Sequence, residues 1–330
     1  MTPGGAEPRF LTTLAYTRRP AWTERADILD PASMPAARVA ERIVRSASRY
    51  DALVLNGSVR ADQTAAALVA RMRRPPAVVL VDATWKRGDG ALERRARRLA
   101  VRALDHPGAH YCVLSEDEAR AFPGNWGVAA ARVHVTPFHW VLDEAEVAEP
   151  PPRDGGVFAG GDSLRDYGPL LEAAAGLRAQ VTIASRAPAP DRLPATVTMG
   201  PLAPDVYAKR FREATTVVVA LEPRSDRSAG QQTYLNAMVL GKPVVVTDAV
   251  GVREYVDDRE TGLIVPPGDP RALREALEWV LDPANASEVA ALGERARAAA
   301  LERFGPDRYV ETLLGVVDSA LAARDQARRA

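Results

Sequence analysis

Short apolar runs rich in β-branched residues alternate along the chain with longer stretches that repeat at the helical period. Residues 51–57 (DALVLNG), 77–85 (AVVLVDATW) and 110–115 (HYCVLS) read as strands. Residues 62–74 (DQTAAALVARMRR), 91–105 (ALERRARRLAVRALD) and 116–122 (EDEARAF) read as the helices between them. Such alternation is the signature of βα units on a parallel sheet. The rhythm breaks at 141–156 (VLDEAEVAEPPPRDGG), where Pro150, Pro151 and Pro152 mark a linker. It then restarts: strands at 155–161, 179–185, 215–221, 242–248 and 262–269, helices at 167–178, 206–214 and 231–241. Three helices close the chain, around 270–282, 286–302 and 306–327, the first with Leu273, Leu277, Val280 and Leu281 at helical spacing.

The pattern predicts an α/β protein of two Rossmann-like, doubly wound domains facing across a cleft. The expected divisions are 1–150, 151–305 and a C-terminal helix, 306–330, returning toward the N-terminal domain. Ligands of open parallel sheets bind at the carboxyl ends of the strands, so the cleft is the natural site for two substrates.

Composition narrows the function. Lys plus Arg (43) equals Asp plus Glu (43), so no global field draws the chain to nucleic acid. Cys112, the only cysteine, sits in an apolar strand and offers neither a disulfide nor a thiol cluster. Of the four histidines only His106 and His110 stand at i, i+4, and Pro107 and Gly108 between them break the helix that a helical metal site needs. No window resembles a signal peptide or a membrane span, and a cytoplasmic location is expected. One local excess of charge stands out: Lys86, Arg87, Arg94, Arg95, Arg97, Arg98 and Arg102 face only Asp89 and Glu93. It reads either as a solvated basic face or as a peripheral membrane contact through helix 91–104, with Leu92, Leu99, Val101 and Leu104 expected to pack on the sheet.

The most informative stretch is 228–269. Gly230 precedes a helix whose free N–H groups, at Gly230, Gln231, Gln232 and Thr233, form a ready site for phosphate. From Asn236 the chain reads NAMVLGKPVVVTDAVGVREYVDDRETGLIVPPGD. This segment resembles the C-terminal domain of GT-B glycosyltransferases, specifically the large retaining group 1 family (family 4). The resemblance extends more weakly to 157–174 and to 111–138. It implies transfer of a sugar from a nucleotide-diphosphate donor of UDP or GDP type to a hydroxyl acceptor, glycan, lipid-linked or natural product, without a metal or resident cofactor. Acceptor attack and phosphate departure would occur on one face, a β-phosphate oxygen taking the acceptor proton.

Two family glutamates are absent. Ser228 stands where the resemblance places the one contacting the donor sugar, and Asn236 where it places the one accepting from ribose hydroxyls. Gly161 occupies the family's arginine position and Arg165 falls near its lysine, where a guanidinium could clamp phosphate oxygens in pairs. Arg186, ending a strand, is a second candidate cation, and Leu202 would offer backbone bonds to the base. On the acceptor side Asp82 would orient a hydroxyl, Trp85 stack on a sugar or lipid, and Lys86 meet a phosphate, with Thr84, Asn56 and Ser58 adding hydrogen bonds. Ordinary structural roles for the same residues remain open: Ser228 and Asp82 as helix caps, the arginines as surface charges. So do two other functions, a catalytically silent relative that binds a sugar nucleotide or a partner, and a GT-B sugar-nucleotide epimerase.

Overall fold

The computed structural model describes residues 8–222 and 226–329. These residues form two compact units, Met1–Pro137 with Asp307–Ala330, and Phe138–Pro306. The first unit contains β1 (Phe10–Thr12), α1 (Pro20–Thr23), β2 (Ala26–Ile28), α2 (Ala36–Ser46), β3 (Ala52–Asn56), α3 (Arg60–Val69), β4 (Ala77–Val81), α4 (Ala91–Leu104), β5 (Ala109–Val113), α5 (Glu116–Trp126) and β6 (Val133–Val135). Its six strands run parallel in the order β2-β1-β3-β4-β5-β6. β4 and β5 are buried at every position, which is why they read as continuous apolar runs rather than alternating ones.

The second unit contains α6 (Glu144–Ala148), β7 (Val157–Gly160), α7 (Gly168–Ala174), β8 (Val181–Ala184), β9 (Val197–Gly200), α8 (Pro204–Glu213), β10 (Thr216–Val219), α9 (Gln231–Val239), β11 (Val244–Thr247), α10 (Val252–Tyr255), β12 (Leu263–Val265), α11 (Pro270–Leu281) and α12 (Ala286–Arg303). Its sheet is again all parallel, ordered β12-β11-β10-β7-β8-β9. The C-terminal part of α9 is enclosed: Tyr234, Leu235, Ala237, Met238 and Val239 are each inaccessible to solvent, while its first turn, Gln231–Thr233, is polar.

The units part at Pro137, not at the proline run near residue 150. Trp140 and Val147 are buried with the side chains of α9, so the chain has joined the second unit before the prolines arrive. The prolines are themselves tied down. The ammonium of Lys242, wholly buried, donates to the carbonyl oxygens of Pro152 (3.1 Å) and Ala214 (2.8 Å). Burial and the neighbouring Arg153 and Arg212 pull its pKa down to about 8.

The last helix, α13 (Pro306–Arg329), lies from Asp307 onward in the first unit. Tyr309, Val310, Leu313, Val317 and Ala320 pack with Phe10, Trp22, Val54 and Val79 on one face of the sheet. Trp22 stands edge-on to Phe10 at 4.9 Å and to Tyr16 at 5.3 Å. Leu313→Ala should therefore cost about 2–5 kcal/mol. Hydrogen exchange should rise in β1, β3 and β4 and leave β7, β10 and β11 as protected as before. Equal loss of protection in both units would contradict this assignment of the helix.

Candidate functional site

The strand order of the second unit reverses between β10 and β7, and ligands of open α/β sheets bind at such a switch point. The chain leaving β7 turns at Gly161, whose φ of +111° is costly for any residue with a Cβ. It then pairs back, Arg165 bridging Leu221 just beyond β10. Arg165 lies across the turn. Its Nε donates to the Gly160 carbonyl (3.2 Å), Nη1 to the Ser163 carbonyl (2.9 Å) and Nη2 to Thr233 Oγ1 (3.3 Å). The guanidinium is thus held against the first turn of α9.

That turn is built for close approach. Gly230 precedes α9 with φ +88°, and a Cβ there would stand 2.7 Å from Val219 Cγ1. The first-turn N–H groups of a helix lack intrahelical partners and carry the positive end of its dipole. Burial pushes the pKa of Arg165 down while Tyr167 and Tyr207 work against that shift, so the protein holds a cation where solvation is poor. An anion at this turn would offset that cost. Gln231 is buried, and its Nε2 has no hydrogen-bond partner among the described residues, one more donor at the same turn. Gln232 is exposed.

Ser228 is buried just before Gly230. Asn236, two turns into α9, is also buried, and its Oδ1 accepts the backbone N–H of Val141 at 2.9 Å. The amide oxygen expected to meet ribose therefore already holds the 138–142 segment. Arg186 departs further from expectation. Its Nε bonds Asp162 Oδ2 (2.7 Å) and its backbone N–H bonds Oδ1 (2.7 Å), leaving an exposed ion pair. Those two bonds, with a third from Ser185, hold the Asp162 carboxyl down at about 2. Leu202 is half-buried against the core cluster of the unit. Sequence reasoning passed over Arg227, half-buried in the loop before Gly230, whose Nη2 lies 3.5 Å from Ser163 Oγ. The loop 222–230 supplied the signal, a basic residue four positions before the helix; residues 223–225 of it lie outside the described residues.

In the first unit the predicted loops follow β3 and β4. Asp82, directly after β4, adopts φ +55°, a conformation that aspartate tolerates better than most residues. Its Oδ1 is shut off from solvent without a hydrogen-bond partner. Burial first, and the charge of Glu118 second, raise its pKa to about 6. Such a carboxyl is a candidate acid or base. Asp62 lies at the neighbouring switch between β1 and β3, accepting from Thr13 Oγ1 and from the Asn56 N–H at 2.7 Å.

Four acceptor-side candidates have other occupations. The Trp85 ring does not stand open for stacking. It packs on Tyr111, Phe122 and Trp126 at 5.6–5.9 Å, and its Nε1 donates to the Gly57 carbonyl at 2.6 Å. Asn56 Oδ1 accepts from both the N–H (2.9 Å) and the Oγ (2.6 Å) of Ser58, a local turn that uses both side chains. Lys86 is exposed and pairs with Asp89 at 3.2 Å, and Thr84 is half-buried. On α4, Val101 and Leu104 are buried as expected, but Leu92 and Leu99 are 86% and 54% exposed and do not pack on the sheet.

Known proteins share this fold and part of this sequence. The family model for glycosyl transferases group 1 matches residues 163–283, from the turn after β7 to the end of α11. D-inositol 3-phosphate glycosyltransferase of Acidothermus cellulolyticus is 34% identical over 130 residues, a stretch spanning 39% of this chain and 27% of that relative's length. Among solved structures, HepE of Anabaena in complex with UDP-glucose superposes with a TM-score of 0.68 at 15% identity, covering 95% of this chain and 99% of the other. Sucrose-phosphate synthase of Thermosynechococcus elongatus gives 0.63 at 17% identity, covering 92% and 83%. The chain has the GT-B fold, and its residues 163–283 match the family model for glycosyl transferases group 1.

Proposed function

We propose that the protein is a retaining glycosyltransferase whose second unit takes a nucleotide-diphosphate sugar and whose first unit presents the hydroxyl acceptor. The observation that carries this reading is the seating of Arg165 against Thr233 at the start of α9, at the switch point between β7 and β10. As the anomeric carbon–oxygen bond breaks, charge grows on the leaving diphosphate, and donors already aimed at it stabilise that charge most. Arg165, the N–H groups of 230–232 and the Gln231 amide would serve the two phosphates, with Arg227 as a second cation; the Thr233 N–H, expected among these donors, is taken by the Gly230 carbonyl at 2.9 Å. The acceptor oxygen bonds to the anomeric carbon and its proton passes to a β-phosphate oxygen. The HepE complex with UDP-glucose supports a uridine donor. A lipid-linked acceptor is in keeping with α4, whose solvent face carries Leu92 and Leu99 seven residues apart beside Arg95 and Arg102.

A second reading, a relative that binds the nucleotide without transfer, draws support from the engagement of Asn236 by Val141. The two readings separate on binding and slow donor hydrolysis.

Three outcomes are expected. Titration of UDP into Arg165→Ala should show affinity lowered about tenfold or more, the loss of one or two charge-assisted bonds; unchanged affinity would remove Arg165 from the phosphate site. A carboxylate at 236 can accept the Val141 N–H and keep a second oxygen for ribose. Asn236→Glu should accordingly bind UDP at least as well as the wild type, whereas Asn236→Leu should lose roughly 1–3 kcal/mol of stability by orphaning that N–H. Weaker UDP binding by the glutamate variant would argue against a ribose role. The third outcome concerns Asp82. Its folded pKa, about 6, lies above the ordinary carboxylate value, so its contribution to stability is complete in acid and disappears as pH rises through 6. Asn tolerates the same backbone. The melting temperature of Asp82→Asn, relative to wild type, should thus climb by several degrees between pH 4 and pH 7. A difference constant across that range would show that the carboxyl is not perturbed.

A further inference from the structure

Helix α4 and the loop before it carry more positive charge than their surroundings neutralise, and the structure shows where the surplus goes. Two cations are paired, Lys86 with Asp89 at 3.2 Å and Arg97 with Glu93 at 2.7 Å. Four others, Arg87, Arg94, Arg95 and Arg98, line one groove of about 310 Å³, with Asn125 and Trp126 on its other wall. Among the described residues no carboxylate pairs with any of these four. Arg94 is oriented by a bond from its Nη1 to the Asp89 carbonyl (3.0 Å), which leaves its charge intact. Arg98 lies over Gly127, the residue that ends α5 with φ +78°; a Cβ there would stand 3.0 Å from Arg98 Nη2.

The negative end of the α5 dipole, about half a charge, accounts for one arginine at most. The remaining like charges repel one another across a confined space and concentrate positive potential in it. They are all guanidinium groups, whose planar forks match the paired oxygens of phosphate. Asn125 adds a neutral amide for a hydroxyl or ester oxygen, and Trp126 a flat apolar wall tied by edge contact to Trp85 at 5.6 Å. The volume falls at the lower end of pockets that hold small ligands.

We propose that this groove is a binding site for a phosphate ester: a phosphate dianion, or two adjoining phosphates, on a compact hydroxylated body. It belongs to the first unit, is separate from the Arg165 site in the second, and does not depend on the transferase reading.

The test uses the full chain carrying Arg165→Ala, which weakens the other phosphate site, with inorganic pyrophosphate as the probe in calorimetry. Pyrophosphate should still bind this variant, and adding Arg94→Ala and Arg95→Ala should weaken it by at least about tenfold. Arg94→Lys with Arg95→Lys, which keeps the charge and removes the forks, should fall between and serves if the alanine pair does not fold. The indole resonance of Trp126, assigned with Trp126→Phe, should move on adding pyrophosphate. Two competitors locate the source of the phosphate. Displacement by glucose 6-phosphate identifies a soluble ester; displacement by phosphatidylglycerol vesicles but not by phosphatidylcholine vesicles identifies a lipid headgroup. Pyrophosphate affinity indifferent to all four substitutions at 94 and 95, or displacement by neither competitor, would overturn the proposal.

Discussion

The second unit is arranged around holding one guanidinium in a poorly solvated turn. Arg165 reaches its position only because Gly161 turns the chain with a positive φ, the Arg165–Leu221 bridge closes that turn, and the carbonyls of Gly160 and Ser163 receive its N–H groups. Thr233 then ties it to α9. The helix in turn is enclosed beyond its first turn, and Gly230 lets that turn come hard against Val219. A guanidinium short of solvent, a buried Gln231 Nε2 without a partner among the described residues, and a helix N-terminus converge on one turn, and their positive charge meets no carboxylate there among the described residues. An anion completes the arrangement.

The first unit shows the opposite economy of charge. Half-buried Asp82, directly after β4, and buried Asp62, in the first turn of α3, each have one oxygen without a partner among the described residues. Its basic residues lie outside, along α4. An acidic interior edge and a basic outer helix are compatible with a ligand whose hydroxyl and phosphate are handled by separate groups of side chains, though the two features belong to separate elements of the unit.

Much of this was legible in the sequence. The parallel sheets announced themselves because strands buried on both faces are written as unbroken apolar runs, and the 228–269 stretch carried the resemblance because glycines and an apolar helix are needed there together. What escaped included elements too short for periodicity to register, β2, β6 and α6 with three, three and five residues, and also the eleven-residue α2. The unit boundary was misplaced because a proline run looks like a linker, whereas here a buried lysine far along the chain, Lys242, captures its carbonyl. The same limitation governed the site. Arg165 and Gly161 were singled out through the family resemblance, which follows the local sequence after β7. The partners of Arg186, Asn56 and Trp85 depend on which side chains the fold brings near, as does the stacking of His110 on His134 across adjacent strands, and no spacing rule encodes that.

The central claim is that the turn after β7 and the start of α9 form one diphosphate site. A crystal structure of the protein soaked or grown with UDP tests it most directly. The account predicts phosphate oxygens within hydrogen-bond distance of Arg165 Nη2 and of backbone N–H groups among residues 230–232. A diphosphate bound elsewhere, with Arg165 still holding Thr233 and the α9 turn empty, would contradict it.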